Sequence, residues 1–346
     1  MTVAHGHSLS RPLVVDLDPT TFCDLACPEC ISGRLLNSGR FSAERLETLA
    51  DELASAGVRA VILIGGGEPL AHRGTHRAIE LLGEAGVAIG LVTNGTKIDR
   101  HLDVLAHYAS WVRVSMDAGT SATHRIFRPD RGGKSRFDHI VENMRKLAAV
   151  KTGSLGYSFL VMTRRGDDGE IQESNVAEIV QAATLARDIG CDYFDFEVKA
   201  MFDEGHYIEQ QPAEVLEELS SQLAQLDVLA TASFDVNYSS TMTALLGDGA
   251  GEQPKSYTSC KTARLRTLVT PDGVYVCSYH RGNESLRIGD VVNEPFTQMW
   301  QRSQQSIVNP STDCRFHCAR HESNLRIEAM AAGTAPEQVD DYDPFI

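Results

Sequence analysis

Seven of the eight cysteines fall into two groups with spacings suited to metal chemistry. Cys23-x3-Cys27-x2-Cys30 gathers three soft thiolates in one loop, a donor set for zinc, copper(I) or an iron–sulfur cluster. Three thiolates at these gaps can wrap one cubane and leave its fourth iron without a protein ligand. Structural zinc asks for four ligands, commonly with C-x2-C pairs. The second group, Cys260, Cys277, Cys314 and Cys318, fully occupies either one zinc or one 4Fe–4S cluster, and spacing alone leans to zinc. Between the groups stands Gly65-Gly66-Gly67-Glu68-Pro69. Glycines let backbone approach a ligand closely, and a neighbouring carboxylate can bind an ammonium group. Alone, such a run is more often a plain strand-to-helix turn.

These residues need elements to position them. Short β-rich runs alternate with amphipathic helical patterns over the first two-thirds of the chain, which implies a parallel sheet of β-α units. The runs predict strands over Leu13–Leu17, Val58–Ile64, Val87–Val92, Trp111–Met116, Leu155–Met162 and Tyr193–Val198. Ser42–Ala56 reads as a helix with Ser42 as N-cap, Leu46, Leu49, Ala50 and Leu53 on its apolar face, and Gly57 closing it. Asn175 and Glu178 read as a capping box. Six such units predict an α/β fold, an open or partial (β/α)6 barrel, with ligands at the carboxyl ends of the strands. Cys23 follows the first strand and Gly65 the second, at that same end. Past Val236 the pattern changes: residues 239–259 read as a linker. Leu265–Val269, Pro271-Asp272-Gly273 and Val274–Cys277 read as a hairpin, followed by a short helix near Phe296–Trp300. The expected division is a core over 1–238 and a small hairpin-plus-helix metal domain over 239–346.

Composition bounds the partners. The chain has 346 residues, 42% hydrophobic and 23% charged, ordinary for a globular protein. Its 32 basic and 47 acidic residues give a formal charge of -15, which repels a phosphate backbone and argues against nucleic acid. No apolar stretch approaches the about 20 residues that span a bilayer, and no signal peptide is evident, so no membrane association is expected. A cytoplasmic setting follows, in which clustered cysteines bind metal more often than they form disulfides.

With the triad and the glycine run on one sheet, the sequence resembles the radical S-adenosylmethionine (SAM) superfamily. Cys23, Cys27 and Cys30 match its cysteine motif and Gly65–Pro69 its glycine-rich motif. The likeness continues through Thr93-Asn94-Gly95 and Val114-Ser115-Met116-Asp117. The resemblance implies a 4Fe–4S cluster whose open iron chelates the amino and carboxylate groups of S-adenosylmethionine, with Gly65, Gly66, Gly67, Glu68, Pro69 and Asn94 on the cofactor. It also implies that Ser115 and Asp117 meet the ribose. Reductive cleavage of the cofactor would yield a 5′-deoxyadenosyl radical, with an electron donor such as flavodoxin or ferredoxin. The hairpin flanked by cysteines and the late cysteine pair resemble the twitch domain, a shortened SPASM domain. That likeness implies a second, auxiliary 4Fe–4S cluster on Cys260, Cys277, Cys314 and Cys318.

For the substrate, the period of two puts Asp195, Glu197 and Lys199 on one face of a strand, which suits a polar, hydroxylated ligand. Arg113 shares a face with Ser115 and Asp117, and Arg164 follows the fifth strand; either can bind a carboxylate or phosphate. Tyr279, His280 and Arg281 follow Cys277, while His317 and His321 flank the last cysteines and are expected to orient their loops. The motif order resembles enzymes of sugar, aminocyclitol and nucleoside antibiotic pathways, including cytosylglucuronate decarboxylase. Only 22 residues precede Cys23, too few for the N-terminal recognition domain usual in peptide-modifying members, which favours a small molecule. Cys191, at the start of the sixth strand, reads as a buried hydrophobe rather than a hydrogen donor, so epimerisation falls behind. The expected reaction is decarboxylation of a sugar or nucleoside uronate, with Lys199, Glu197 or His280 as general base. Dehydrogenation or epimerisation of a sugar or aminocyclitol, peptide maturation, and a non-catalytic zinc-binding protein are the alternatives.

Overall fold

The computed structural model describes residues 11–203, 206–209, 211–238, 242, 252–303, 307–334 and 345. Its strands are β1 (Val14–Leu17), β2 (Ala60–Leu63), β3 (Ala88–Thr93), β4 (Ala109–Ser115), β5 (Ser154–Val161), β6 (Thr163–Arg165), β7 (Ile171–Ser174), β8 (Tyr193–Val198), β9 (Met201–Asp203), β10 (His206–Glu209), β11 (Asp235–Tyr238), β12 (Arg266–Thr270), β13 (Gly273–Tyr275) and β14 (Arg287–Gly289). The helices include α1 (Ala43–Ala56), α2 (Thr75–Glu84), α3 (Leu102–Tyr108), α4 (Ser121–Phe127), α5 (Phe137–Ala148), α6 (Ile179–Ile189), α7 (Ala213–Asp227), α8 (Phe296–Arg302), α9 (Pro310–Asp313) and α10 (His321–Ala331). The six expected core strands all form, with ends displaced by at most two residues. Most of the linker stretch 239–259, and the N-terminal Met1–His7, lie outside the described residues. Among the described residues no helix is long and apolar enough to cross a membrane.

By packing, the chain divides into two units, neither of them one continuous stretch. The first comprises Met1–Phe22, Leu35–Leu91 and Pro254–Ile346; the second comprises Cys23–Arg34 and Val92–Gln253. The last segment packs with the first strands because β12 lies parallel to β1, with Asp16 opposite Leu268. The segment expected to form an appended metal domain thus contributes a strand beside β1.

In the first unit β1 lies between β12 and β2, and β3 follows β2, all parallel, while β13 and β14 extend the other edge antiparallel. Val15, Leu17, Val61, Leu63, Leu268 and Val269 are fully buried. Helix α1 forms as its pattern predicts: Ser42 accepts from Arg45 N, Gly57 closes it at φ 79°, and Leu46, Leu49, Ala50 and Leu53 are buried. Its polar side grips the C-terminal segment. Arg45 donates to the carbonyls of Val291 and Glu294, and Glu52 accepts from Phe296 N at the start of α8.

The alternation in β1 carries a surprise for an interior strand. Asp16 and Asp18 are buried among Val15 and Leu17. Asp16 meets two guanidiniums, Arg266 of β12 at 2.7 Å and Arg320 at 3.2 Å. A carboxylate out of water is tolerable only when paired and hydrogen-bonded, and both partners come from the C-terminal segment.

In the second unit β4, β5, β8 and β11 are parallel neighbours. Val112, Val114, Tyr157, Phe159, Phe194 and Phe196 form the buried face, with ring centroids 5.8–6.0 Å apart from Tyr157 through Phe194 to Phe159 and Phe196. Arg113, Ser115, Ser158, Tyr193, Asp195 and Glu197 alternate with these residues and are at least partly exposed. Gly156 makes room for Tyr193: a Cβ there would stand 2.1 Å from that ring. Cys191 is buried, as expected of a small hydrophobe.

The capping box does not form. Asn175 is fully buried, and its amide instead accepts from Met162 N and donates to the carbonyls of Asp117 and Leu160. A buried amide must satisfy its own donors and acceptor first. The helix therefore starts later, at Ile179, and Glu178 accepts from Gly119 N and the hydroxyls of Thr120 and Thr123.

Asp16→Asn keeps the shape of this side chain but leaves two guanidiniums facing a neutral amide. Unfolding in urea is expected to show a loss of about 3 kcal/mol; an unchanged midpoint would show that the two arginines do not depend on the charge.

Candidate functional site

The cysteine triad lies in the second unit, on a loop with all three thiols outside any disulfide and partly exposed. The loop is fastened on several sides. Ala26 N donates to Pro129 O at 2.7 Å, and Arg131 Nε donates to Cys23 O at 2.9 Å. Asp24 accepts from Asn94 Nδ2, Thr96 Oγ1 and Lys97 Nζ at 2.7–2.9 Å. Burial pulls the Asp24 carboxyl up, but these hydrogen bonds outweigh it and leave it below its usual value. Asn94 Nδ2 also lies 3.7 Å from Cys23 Sγ. Asn94, expected on the cofactor, is thus a brace for the cysteine loop.

Lys199 and Glu29 complete the fastening. Lys199 follows β8, is only 3% exposed, and donates to the carboxylate of Glu29, which sits between Cys27 and Cys30. The expected base is therefore engaged in holding the loop. Arg128 is half-buried and bonded to Asp117, and Leu160 N donates to the other carboxylate oxygen. Burial works against the charge on Arg128, while Asp117, Cys27 and Cys23 outweigh it and hold its proton on. Asp117, at φ 52°, accepts from Arg128 through one carboxylate oxygen and from Leu160 N through the other. Three thiolates on a cubane carry net negative charge, so a half-buried guanidinium beside two of them fits such a cluster.

The glycine-rich run lies in the first unit and its backbone admits no side chains. A Cβ on Gly65 would fall 1.9 Å from Gly67 O, and one on Gly67 would fall 2.2 Å from Phe22 O. Glu68 is buried, and its carboxylate accepts from Leu70 N as the cap of a short 3-10 turn beginning at Pro69. Gly66 N donates to Asp18 Oδ2 at 2.7 Å, and the same oxygen accepts from Arg281.

The other four cysteines gather in the first unit, also as free thiols. Burial pushes Cys277 up to about 12, Arg320 opposing and Cys318 and Cys260 adding to the rise. Burial also pushes Cys314 up, reinforced by Cys277, Cys318 and Cys260. Burial raises Cys318 as well, and bound metal replaces the protons of thiols that ligate it. The surrounding donors fit a thiolate-bound group: Asn324 Nδ2 lies 3.6 Å from Cys260 Sγ, Arg320 N 3.4 Å from Cys318 Sγ and His280 Nε2 3.3 Å from Cys314 Sγ. Tyr257 OH and His321 Nδ1, 3.0 Å apart, stand beside them. Among the described residues no three His, Cys, Asp or Glu side chains close on a single-ion site; the thiolates of a cubane each bind a different iron.

The remaining candidates separate. Burial lowers His280 to about 4, and its Nε2 lies against the Cys314 sulfur. Tyr279 accepts from Ala319 N at 3.3 Å and packs on Phe316, within the four-cysteine segment. Arg113 and Asp195 pair at 2.8 Å across β5. Ser115 is partly exposed opposite Ser158 of β5, and Glu197 is exposed. Arg164 is exposed on the β6–β7 hairpin, opposite Glu173. Sequence reasoning missed Asp16, Asp18, Asp24, Glu29, Arg128, Arg320 and Asn324. Two signals were present: aspartates at alternate positions of an apolar strand, and charged residues directly beside cysteines.

Comparison with known proteins follows this geometry. Residues 17–174 match the family model described as the radical SAM superfamily. Mycofactocin maturase MftC of Mycobacterium ulcerans is 24% identical over 97% of this chain and 90% of its own length. An AdoMet-dependent heme synthase of Methanosarcina barkeri is 26% identical over 52% of this chain, which spans about half (49%) of that relative. Among solved structures, Streptococcus suis SuiB bound to the precursor peptide SuiA superposes with a TM-score of 0.61 at 16% identity, covering 85% of this chain and 65% of SuiB. The protein anSMEcpe with bound AdoMet and a Cp18Cys peptide gives a TM-score of 0.62 at 16% identity, covering 85% of this chain and 81% of its own. These structures share the α/β fold of mostly parallel strands. The cysteine loop and the glycine-rich turn both lie within the stretch that matches the radical SAM superfamily model.

Proposed function

We propose that the protein is a radical SAM enzyme that modifies a peptide, with the SAM-binding 4Fe–4S cluster on Cys23, Cys27 and Cys30. In the same reading an auxiliary 4Fe–4S cluster sits on Cys260, Cys277, Cys314 and Cys318. The observation that carries the peptide substrate is the alignment with a maturase over 97% of this chain and 90% of the relative. A relative of comparable length removes the argument that a short segment before Cys23 favours a small molecule. The trio expected to bind a hydroxylated ligand is also divided: Asp195 is paired with Arg113 and Lys199 with Glu29.

When bound, the open-iron cluster and S-adenosylmethionine supply a 5′-deoxyadenosyl radical that takes a hydrogen atom from the substrate. The chain's own part is positional. Asn94, Arg131 and the Glu29–Lys199 pair hold the triad loop. Arg128 offsets thiolate charge, and Gly65–Glu68 present closely packed backbone to the cofactor. Asn324, Arg320 and His280 stand against three of the four auxiliary sulfurs, those of Cys260, Cys318 and Cys314, tuning the group they bind. A small electron carrier such as flavodoxin or ferredoxin and a cytoplasmic setting complete the proposal, consistent with eight free cysteines.

Metal analysis of anaerobically purified protein tests the two-cluster assignment. Cys27→Ala and Cys277→Ala are each expected to lose about half of the iron and sulfide, and only Cys27→Ala to lose all cleavage of S-adenosylmethionine. Zinc in place of iron at the four-cysteine site would refute the auxiliary cluster.

The substrate class is read from 5′-deoxyadenosine formation with dithionite as reductant. Panels of synthetic peptides and of uronates, glycosides and nucleosides are compared side by side. Stimulation by peptides, with a mass change in the peptide, is the expected result. Stimulation confined to the uronates, with loss of carbon dioxide, would sink the peptide reading and restore decarboxylation.

A further inference from the structure

Within the first unit, the glycine-rich turn is not free-standing. Asp18 is wholly buried, and its Oδ2 accepts from Gly66 N at 2.7 Å and from the Arg281 guanidinium. Its Oδ1 is buried as well and meets no donor among the described residues. The Asp18 backbone is itself anchored, donating to Val269 O of β12 at 2.8 Å. Gly66 has no spare room against this pair: a Cβ there would stand 2.9 Å from Asp18 Oδ2 and 3.0 Å from Arg281 Nη1. A shift of the guanidinium therefore moves the carboxylate that fixes the Gly66 amide.

Arg281 stands at the end of a short, tightly held stretch. Cys277 precedes the 3-10 turn Ser278–His280; His280 meets Cys314 Sγ and Tyr279 accepts from Ala319 N. Gly282 follows at φ 76° against Leu35, and the Arg281 side chain is only 12% exposed. The path from a cysteine of the second group to the glycine-rich turn thus runs through one side chain and one carboxylate. A buried pair of this kind is poor evidence of stability alone, since desolvation offsets much of the attraction. It is well suited to fixing geometry.

We propose that Arg281 is a positioning residue for the cofactor: acting through Asp18, it sets the backbone of Gly65–Glu68, so that affinity for S-adenosylmethionine depends on the four-cysteine segment. The proposal rests on the reading above that Gly65–Glu68 contacts the cofactor. A neutral side chain at 281 leaves Asp18 charged, buried and short of a partner, and the Gly66 amide loses its fixed acceptor.

Arg281→Met, Arg281→Lys and Cys277→Ala are compared with the wild-type chain in two measurements. The first is amide hydrogen exchange over residues 65–71 in cluster-free protein; the second is equilibrium dialysis of S-adenosylmethionine against the anaerobic, iron-loaded protein. Arg281→Met is expected to speed exchange at Gly66 and to weaken cofactor binding roughly tenfold. Its triad iron should be unchanged, and KM for the cofactor should rise more than kcat falls. Arg281→Lys, which keeps the charge, should recover part of both effects, and Cys277→Ala should resemble Arg281→Met. Native exchange and native affinity in Arg281→Met overturn the proposal, as does a loss of stability with neither of them moved. If Arg281→Met does not fold, native exchange and affinity in both Arg281→Lys and Cys277→Ala overturn it equally. A wild-type chain that fails to bind S-adenosylmethionine would instead defeat the functional reading beneath it.

Discussion

Two carboxylates, one within β1 and one just past its end, organise the first unit. Asp16 and Asp18 occupy alternate positions of β1 and its exit, and neither is reached by water. Each is tolerable only because cations from far along the chain come to it: Arg266 and Arg320 to Asp16, Arg281 to Asp18. Those arginines bracket the second cysteine group. Arg266 opens the hairpin strand, Arg281 follows Cys277, and Arg320 stands two residues beyond Cys318. The register of β12 against β1 and the placement of four thiols are thereby one requirement, met together or not at all.

The triad loop in the second unit follows the same logic with other residues. Its backbone has little regular structure of its own, so side chains do the work of a sheet or helix. Asp24 collects three donors and Glu29 takes Lys199. Arg128, half-buried and paired with Asp117, supplies positive charge next to Cys27 and Cys23. Local secondary structure at a metal loop would compete with the ligand geometry, whereas charge-assisted side-chain bonds set the loop without dictating its path.

Much of this was legible in the chain, and the reasons differ by residue. Helix α1 is written in its period, its Ser42 cap and its closing Gly57, all local signals. The core strands are legible as short β-branched runs, which is why their ends err by only a residue or two. The cysteine groups are legible because thiolate chemistry tolerates few spacings. What could not be read is pairing at a distance. The parallel contact of β12 with β1 joins residues about 250 apart in sequence and leaves no local mark. Asn175 illustrates the converse: its spacing to Glu178 fits a cap, but burial at the ends of β4 and β5 gives its amide other obligations. Lys199 reads as a free base by periodicity, and only the fold brings Glu29 to it.

The polar face of β4, β5 and β8 bears on the substrate class through what is already paired there. A uronate needs an unspent cation for its carboxylate. Arg113 gives that valence to Asp195, Lys199 gives its own to Glu29, and Arg164 sits on an exposed hairpin. A uronate bound to Arg113 would have to compete with Asp195 for the guanidinium, in a pair whose two side chains both reach solvent. A peptide amide carries a donor and an acceptor and no net charge, so it can bond to both members of a pair without breaking it. Ser115 and Ser158, opposite each other on neighbouring strands, offer the same donor-and-acceptor character. With Arg113 and Lys199 already paired, this face supports the peptide reading proposed above.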